Sequence, residues 1–137
     1  MRTNIFVAVF LVILIGACKK ETSEPRSKSY TFVQMNNSGI TGTIRFIEQA
    51  DSAQTIVDFE LNNTPASRYM AHIHQGPPSS YHGAIYYFDP IYAYGGKISY
   101  KQSIPLLYDS AVRLDCTLAL HDSTGNQDLG ISGVGIN

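Results

Sequence analysis

Four histidines carry most of the chemistry this chain could do: His72 and His74 in Ala71-His72-Ile73-His74-Gln75-Gly76, His82 shortly after, and His121 in Leu118-Ala119-Leu120-His121-Asp122. A metal site needs neutral imidazoles converging from separate parts of a rigid fold, and a His-x-His on a strand supplies two of them on one face. Imidazoles without thiolate partners suit copper, zinc, nickel or iron, and geometry rather than intrinsic affinity chooses among these. Taken singly, each histidine has a simpler account: His72 and His74 as solvated residues on a strand, His82 in a loop, His121 bonded to a turn. Taken together they point to one site, because two strands far apart in sequence each deliver histidine near a strand end, and His82 lies in the loop that leaves His74.

The elements that must position them are strands. Period-2 alternation with β-branched and aromatic residues recurs over 30–35, 43–47, 55–61, 69–74, 84–88, 97–100, 112–121 and 131–136. Turn-forming clusters separate these runs, such as Asn36-Asn37-Ser38-Gly39, Gln75 to Ser80 and Ser123-Thr124-Gly125-Asn126, and no segment reads as an amphipathic helix. Regularly spaced short strands predict an all-β sandwich or barrel of about eight antiparallel strands. Along 112–121, Val112, Leu114, Cys116, Leu118 and Leu120 share an apolar face, so His121 points away from the core; Met70, His72 and His74 likewise share the face opposite Tyr69, Ala71 and Ile73. Cys116 then behaves as a small buried hydrophobe, and Asp58 and Glu60, alternating with apolar residues, read as a solvated face.

With 10 basic and 11 acidic residues the 137-residue chain has a formal charge of -1, which excludes the basic footprint of nucleic-acid binding. No Gly-rich phosphate loop or nucleophile elbow is present, so hydrolase and nucleotide chemistries rank last. Met1-Arg2, the apolar run Ile5 to Ile15 and Gly16-Ala17 read as a secretory signal, too short to span a bilayer. Ile15-Gly16-Ala17-Cys18 resembles a bacterial lipobox, with Ile15 in place of the usual leucine. That resemblance implies lipidation at Cys18, a signal over 1–17, a polar linker over 18–29, one domain over 30–137 and, because Lys19 follows Cys18, an outer-membrane lipoprotein of the cell envelope, facing the periplasm or the surface. Once Cys18 is set aside, Cys116 has no disulfide partner. Stability must come from packing.

Gly39 to Phe46, His72-Ile73-His74-Gln75-Gly76, Leu120-His121-Asp122 and Gly133-Val134-Gly135-Ile136 occur in an order that resembles a shortened copper-zinc superoxide dismutase. The resemblance covers most of residues 39 to 137 at low overall similarity, and the His-x-His segment is its most specific part. It implies a Greek-key β-barrel, one copper ion held by His72, His74, His121 and, from its loop position, His82, with Asp122 orienting the ring of His121, and superoxide or a copper donor as partner. The departures are equally specific. The two further zinc histidines are missing, leaving only Asp89 as a carboxylate candidate, so zinc is not expected. The loop before the last strand is short, the family's disulfide is absent, and Leu129 stands near where an active-site arginine is expected. Loss of that cation weakens steering of superoxide, worth roughly 10 to 1000-fold in on-rate, unless Arg68 or Arg113 replaces it. Superoxide dismutase activity is therefore an open question beside copper binding.

The same His-x-His-Gln-Gly segment resembles chordin-type (CHRD) domains, which implies the alternative of a non-catalytic surface binding or adhesion module. Tyr81, Tyr86, Tyr87, Tyr92 and Tyr94 would serve it as amphipathic contact area. Their simpler reading is that they fill the barrel wall and its covering loop.

Overall fold

The structure is a computed structural model that describes residues 23–137. The signal stretch 1–17 and Cys18 lie outside the described residues. The chain forms β1 (Ser27–Gln34), β2 (Thr41–Glu48), β3 (Thr55–Asn62), β4 (Arg68–Gln75), β5 (Ala84–Tyr87), β6 (Ile91–Tyr92), β7 (Lys97–Ile104), α1 (Tyr108–Ala111), β8 (Asp115–His121) and β9 (Asp128–Gly135). All eight expected strands are there, with the two-residue β6 and the single turn α1 added. No helix among the described residues is long and apolar enough to cross a membrane.

Two boundaries differ from expectation. β1 begins at Ser27, inside the expected linker, and the chain just before it is tied down: the Arg26 carbonyl accepts from Glu48 N at 2.8 Å and its guanidinium meets Glu48 at 2.6 Å and Asp109 at 2.8 Å. β8 begins at Asp115 rather than Val112, because α1 captures the intervening backbone donors. Val112 N donates to Tyr108 O at 3.0 Å and Arg113 N to Ser110 O at 3.1 Å, which leaves neither for a strand ladder.

The main strands lie in the order β5-β4-β8-β9-β1-β2-β3-β7, β6 pairs with β4, and every ladder is antiparallel. The connections from β3 to β4, from β6 to β7 and from β7 to β8 carry the chain between the two halves, the Greek-key element of this sheet. β1 belongs to both halves. Residues from Ser27 to Phe32 pair with β2, and Val33 and Gln34 pair with β9. The sheet so curled encloses Phe46, Phe59, Ile44, Leu61, Leu118 and Leu120, each at most 1 % exposed, and each burial contributes roughly 1.5–3 kcal/mol.

The edges β5 and β7 approach each other without a backbone ladder. Side chains bridge them: Gln102 Nε2 donates to the Tyr86 hydroxyl at 3.1 Å, Asp89 N donates to Gln102 Oε1 at 3.0 Å, and the Tyr86 hydroxyl reaches Ser103 O at 3.4 Å. The curl thus places β4 and β8 side by side in the interior of one half, with their outer face available for a site.

Candidate metal centre

β4 and β8 pair Met70 with His121, His72 with Ala119 and His74 with Thr117. His72 and His74 therefore lie on one face of β4 by pleat alone, and His121 lies on that face of β8, diagonal to His72, within reach of a long side chain. The ring centroids of His72 and His121 are 4.8 Å apart, those of His72 and His74 5.8 Å, and those of His74 and His121 5.9 Å. One ring nitrogen from each residue lies within 4.8 Å of the others. Imidazole donors at about 2.0–2.1 Å from a common ion stand about 3.3–3.6 Å from one another, so the set is at its widest somewhat broader than a bound ion would hold it.

The histidine face is not open to water as alternation suggested. On β8 it is as buried as the core face: Thr117 and Ala119 are fully covered and His121 is 6 % exposed. The cover is the loop between β4 and β5, closed by Gln75 N donating to Gly83 O at 3.3 Å and His82 N donating to Gln75 O at 2.8 Å. Gly76 turns it with φ +97°, where any Cβ would meet Ser80 O at 3.2 Å, and Thr117 Oγ1 donates to Gly76 O at 2.9 Å. Tyr81 crosses from this loop to β9, its ring 5.0 Å from that of His74 and its hydroxyl hydrogen-bonded to Asp128 Oδ2. Tyr87, opposite His72 on β5, puts its ring 4.5 Å from that imidazole.

The protonation pattern follows from the partners. His74 Nδ1 lies 2.8 Å from the carbonyl oxygen of His82; a carbonyl only accepts, so Nδ1 carries the proton and Nε2 keeps its lone pair. That Nε2 is buried and has no hydrogen-bond partner, as is Nε2 of His121. Asp128 Oδ1 stands 2.8 Å from His121 Nδ1, though too far off the N–H direction for a straight hydrogen bond. Burial pushes the His121 imidazole below the usual histidine range; Asp128 opposes this, but burial prevails, so the contact joins a carboxylate to a neutral ring rather than an ion pair. Burial also lowers His72, and the neighbouring His121 and His74 add to it. Burial and the bond to Asp128 push the Tyr81 phenol up to about 12, so it remains a donor. Neutral imidazoles with buried, unpartnered lone pairs are what a transition metal requires.

His72, His74 and His121 thus come together, and His82 does not join them. Its exposed imidazole stands outside the cluster because the loop turns its backbone carbonyl, not its ring, toward His74. Asp122 is not the partner of His121 either. Its Oδ1 accepts from Thr124 N at 3.1 Å, Thr124 Oγ1 at 2.7 Å and Asn126 N at 3.2 Å, which commits it to the β8–β9 turn. The partner is Asp128, carried into place by a bulge: Leu120 pairs with Gly130, but His121 pairs with Asp128, so β9 has one extra residue, Leu129. Asp89 is exposed and outside the cluster. Of the two arginines, Arg68 donates to Ser123 O at 2.9 Å in the β8–β9 turn, and Arg113 lies beside Asp109.

The other half of the sheet corrects a further expectation. Asp58 on β3 is fully buried instead of solvated, because its cross-strand neighbours Arg45 and Lys101 close over it at 2.6 Å and 3.6 Å; Glu60 is exposed as expected. Cys116 is buried on the core face, and burial pushes its thiol up. The tyrosines divide. Tyr81 and Tyr86 are half-buried, whereas Tyr87, Tyr92 and Tyr94 are 65 %, 52 % and 77 % exposed, so they do not fill the wall. No protein-family model matches the chain, and no curated protein matches it.

Proposed function

We propose that this protein is a copper-binding domain that holds a single ion through His72, His74 and His121, in the manner of a shortened, zinc-free relative of the copper-zinc superoxide dismutases. The observation that carries the reading is the convergence of three imidazole nitrogens within 4.8 Å, two of the rings having buried Nε2 atoms without partners. Leaving polar atoms buried and unpaired costs about 1–3 kcal/mol each, and a bound ion would satisfy them. An all-imidazole donor set favours copper, zinc or nickel over the hard cations.

A bound copper ion would supply one-electron exchange, with superoxide or with a copper donor as the partner. This chain's residues would hold the ion, exclude water with the Gly76–Gly83 loop, and keep His121 neutral by burial. With Leu129 near where an active-site arginine is expected, copper handling is the stronger part of the reading and rapid dismutation the weaker. The expected setting is the cell envelope, with the domain anchored through a lipidated Cys18.

The test is copper loading of the purified chain, followed by metal analysis and electron paramagnetic resonance. One copper per chain with nitrogen hyperfine structure is expected, lost in His72→Ala and His121→Ala; no stoichiometric uptake, or equal uptake by both variants, would sink the reading. A superoxide assay on the loaded protein then separates enzyme from carrier.

A second reading, the chordin-type surface module, is favoured by a cleft of about 290 Å³ lined by Pro90, Tyr92, Tyr94, Lys97, Ser99 and Tyr100. Exposed tyrosines beside a lysine and a serine suit a polyhydroxylated or protein ligand. Ligand binding that survives loss of His72, His74 and His121 would support it.

A further inference from the structure

Two of the three clustered histidines, His74 and His121, are joined by more than proximity. From His74 the contacts run through its Nδ1 proton to the carbonyl of His82, along the chain to Tyr81, through the Tyr81 hydroxyl to Asp128 Oδ2, and from Asp128 Oδ1 to His121 Nδ1. The circuit returns from His121 to His74 across 5.9 Å between ring centroids. Three elements that share no backbone ladder at this point, the loop, β9 and β4, are thereby tied together around the donor atoms.

Resting on the metal-binding reading above, we propose that Tyr81 and Asp128 are positioning residues. The Tyr81 hydroxyl fixes the Asp128 carboxylate, and the carboxylate fixes the proton of His121 on Nδ1, so that His121 offers Nε2 to a metal. The chemistry follows from the distances. A carboxylate oxygen 2.8 Å from Nδ1 would face lone pair to lone pair if that nitrogen were bare, so the proton belongs there even though the contact is bent. The carboxylate is itself anchored from the far side by a phenol whose ring packs 5.0 Å from His74, so one residue serves both imidazoles. Outer partners of this kind orient a ligating histidine and typically change metal affinity roughly 10 to 100-fold. His82 contributes a carbonyl alone, and its side chain is dispensable.

The experiment has two arms. In metal-free protein, long-range ¹H–¹⁵N correlations of the histidine side chains read the tautomers. The wild type should show Nδ1–H on both His74 and His121, and Asp128→Asn should release His121 to a mixture while leaving His74 unchanged. In copper(II) competition titrations, Asp128→Asn should bind about 10 to 100-fold more weakly, Tyr81→Phe roughly twofold to tenfold more weakly, and His82→Ala as the wild type does, with altered copper resonance parameters in the first two alone. Tyr81→Phe keeps the packing of the ring, so it stays informative should Asp128→Asn fold poorly. An unchanged His121 tautomer in Asp128→Asn, or loss of affinity in His82→Ala, overturns the positioning role. Tautomers as expected in a chain that takes up no copper overturn the metal reading instead.

Discussion

The two outer faces of the curled sheet each bury polar side chains, and they treat them oppositely. On the β2–β3–β7 half, Asp58 is fully covered, its Oδ2 meeting Arg45 at 2.6 Å and Lys101 at 3.6 Å, each directly opposite it in register, while its Oδ1 has no hydrogen bond among the described residues. On the β4–β8–β9 half, His74 and His121 are covered by a loop and keep Nε2 atoms that no described residue meets. A buried polar group with its partner beside it is a finished structural unit. One without a partner is either a cost the fold tolerates or a place kept for something else. The contrast teaches where to look for a ligand: the charge of Asp58 is met by two cations of the protein itself, and the Nε2 lone pairs of the histidine cluster are met by none of the described residues.

That comparison can be broken most directly with metal. Saturating copper at about a thousandfold excess over Kd should raise unfolding stability by about 4 kcal/mol, measured as denaturant midpoint, and the gain should vanish in His72→Ala yet persist in Arg45→Ala. A gain lost equally in both would mean the two faces are not separate. Next in size, Arg45→Ala should lower the stability of metal-free protein by about 1–3 kcal/mol by removing the close partner of a buried carboxylate, with Asp58→Asn in the same background recovering part of it. A smaller effect should come from acid. Because burial lowers His72 and His121 below their unfolded values, the unfolded chain takes up protons first, so stability is lost as pH falls through about 6.5 and the loss levels off once the folded rings are themselves protonated. Stability curves between pH 8 and 5 should show this slope, reduced in His72→Gln. Smallest of all, His82→Ala should leave metal-free stability within about 0.5 kcal/mol of wild type, since its ring is exposed and only its backbone carbonyl meets His74; a larger loss would mean that its side chain helps hold the loop.

Strand alternation made the eight strands legible, along with the shared face of His72 and His74, the core side of Cys116 and the off-core direction of His121. It says which side a residue takes and nothing of what lies above that side, which is why Asp58 read as solvated and the burial of the off-core His121 went unseen. Both are covered by partners that only cross-strand register or loop folding brings near. His82 was misplaced for a related reason: a loop has no period, and its contribution came through a carbonyl, which every residue possesses. Asp128 was hidden by the bulge. Regular pairing after Leu120 and Gly130 would set Leu129 opposite His121, and the extra residue turns Leu129 toward the core and delivers Asp128 to the histidine face. A hairpin register counted back from the turn at Ser123 to Asn126 could have found it, given the bulge.

The bulge also partitions how this protein can change. From Gly130 onward β9 keeps step with β8, its buried positions set by close contacts such as Gly130 against Phe32, where a Cβ would lie 2.2 Å from the ring. On the other side of the bulge, the turn from Asp122 to Gln127 touches the histidine face and not that packing. Insertions or deletions in this turn would therefore shift the carboxylate relative to His121 while leaving the core alignment intact.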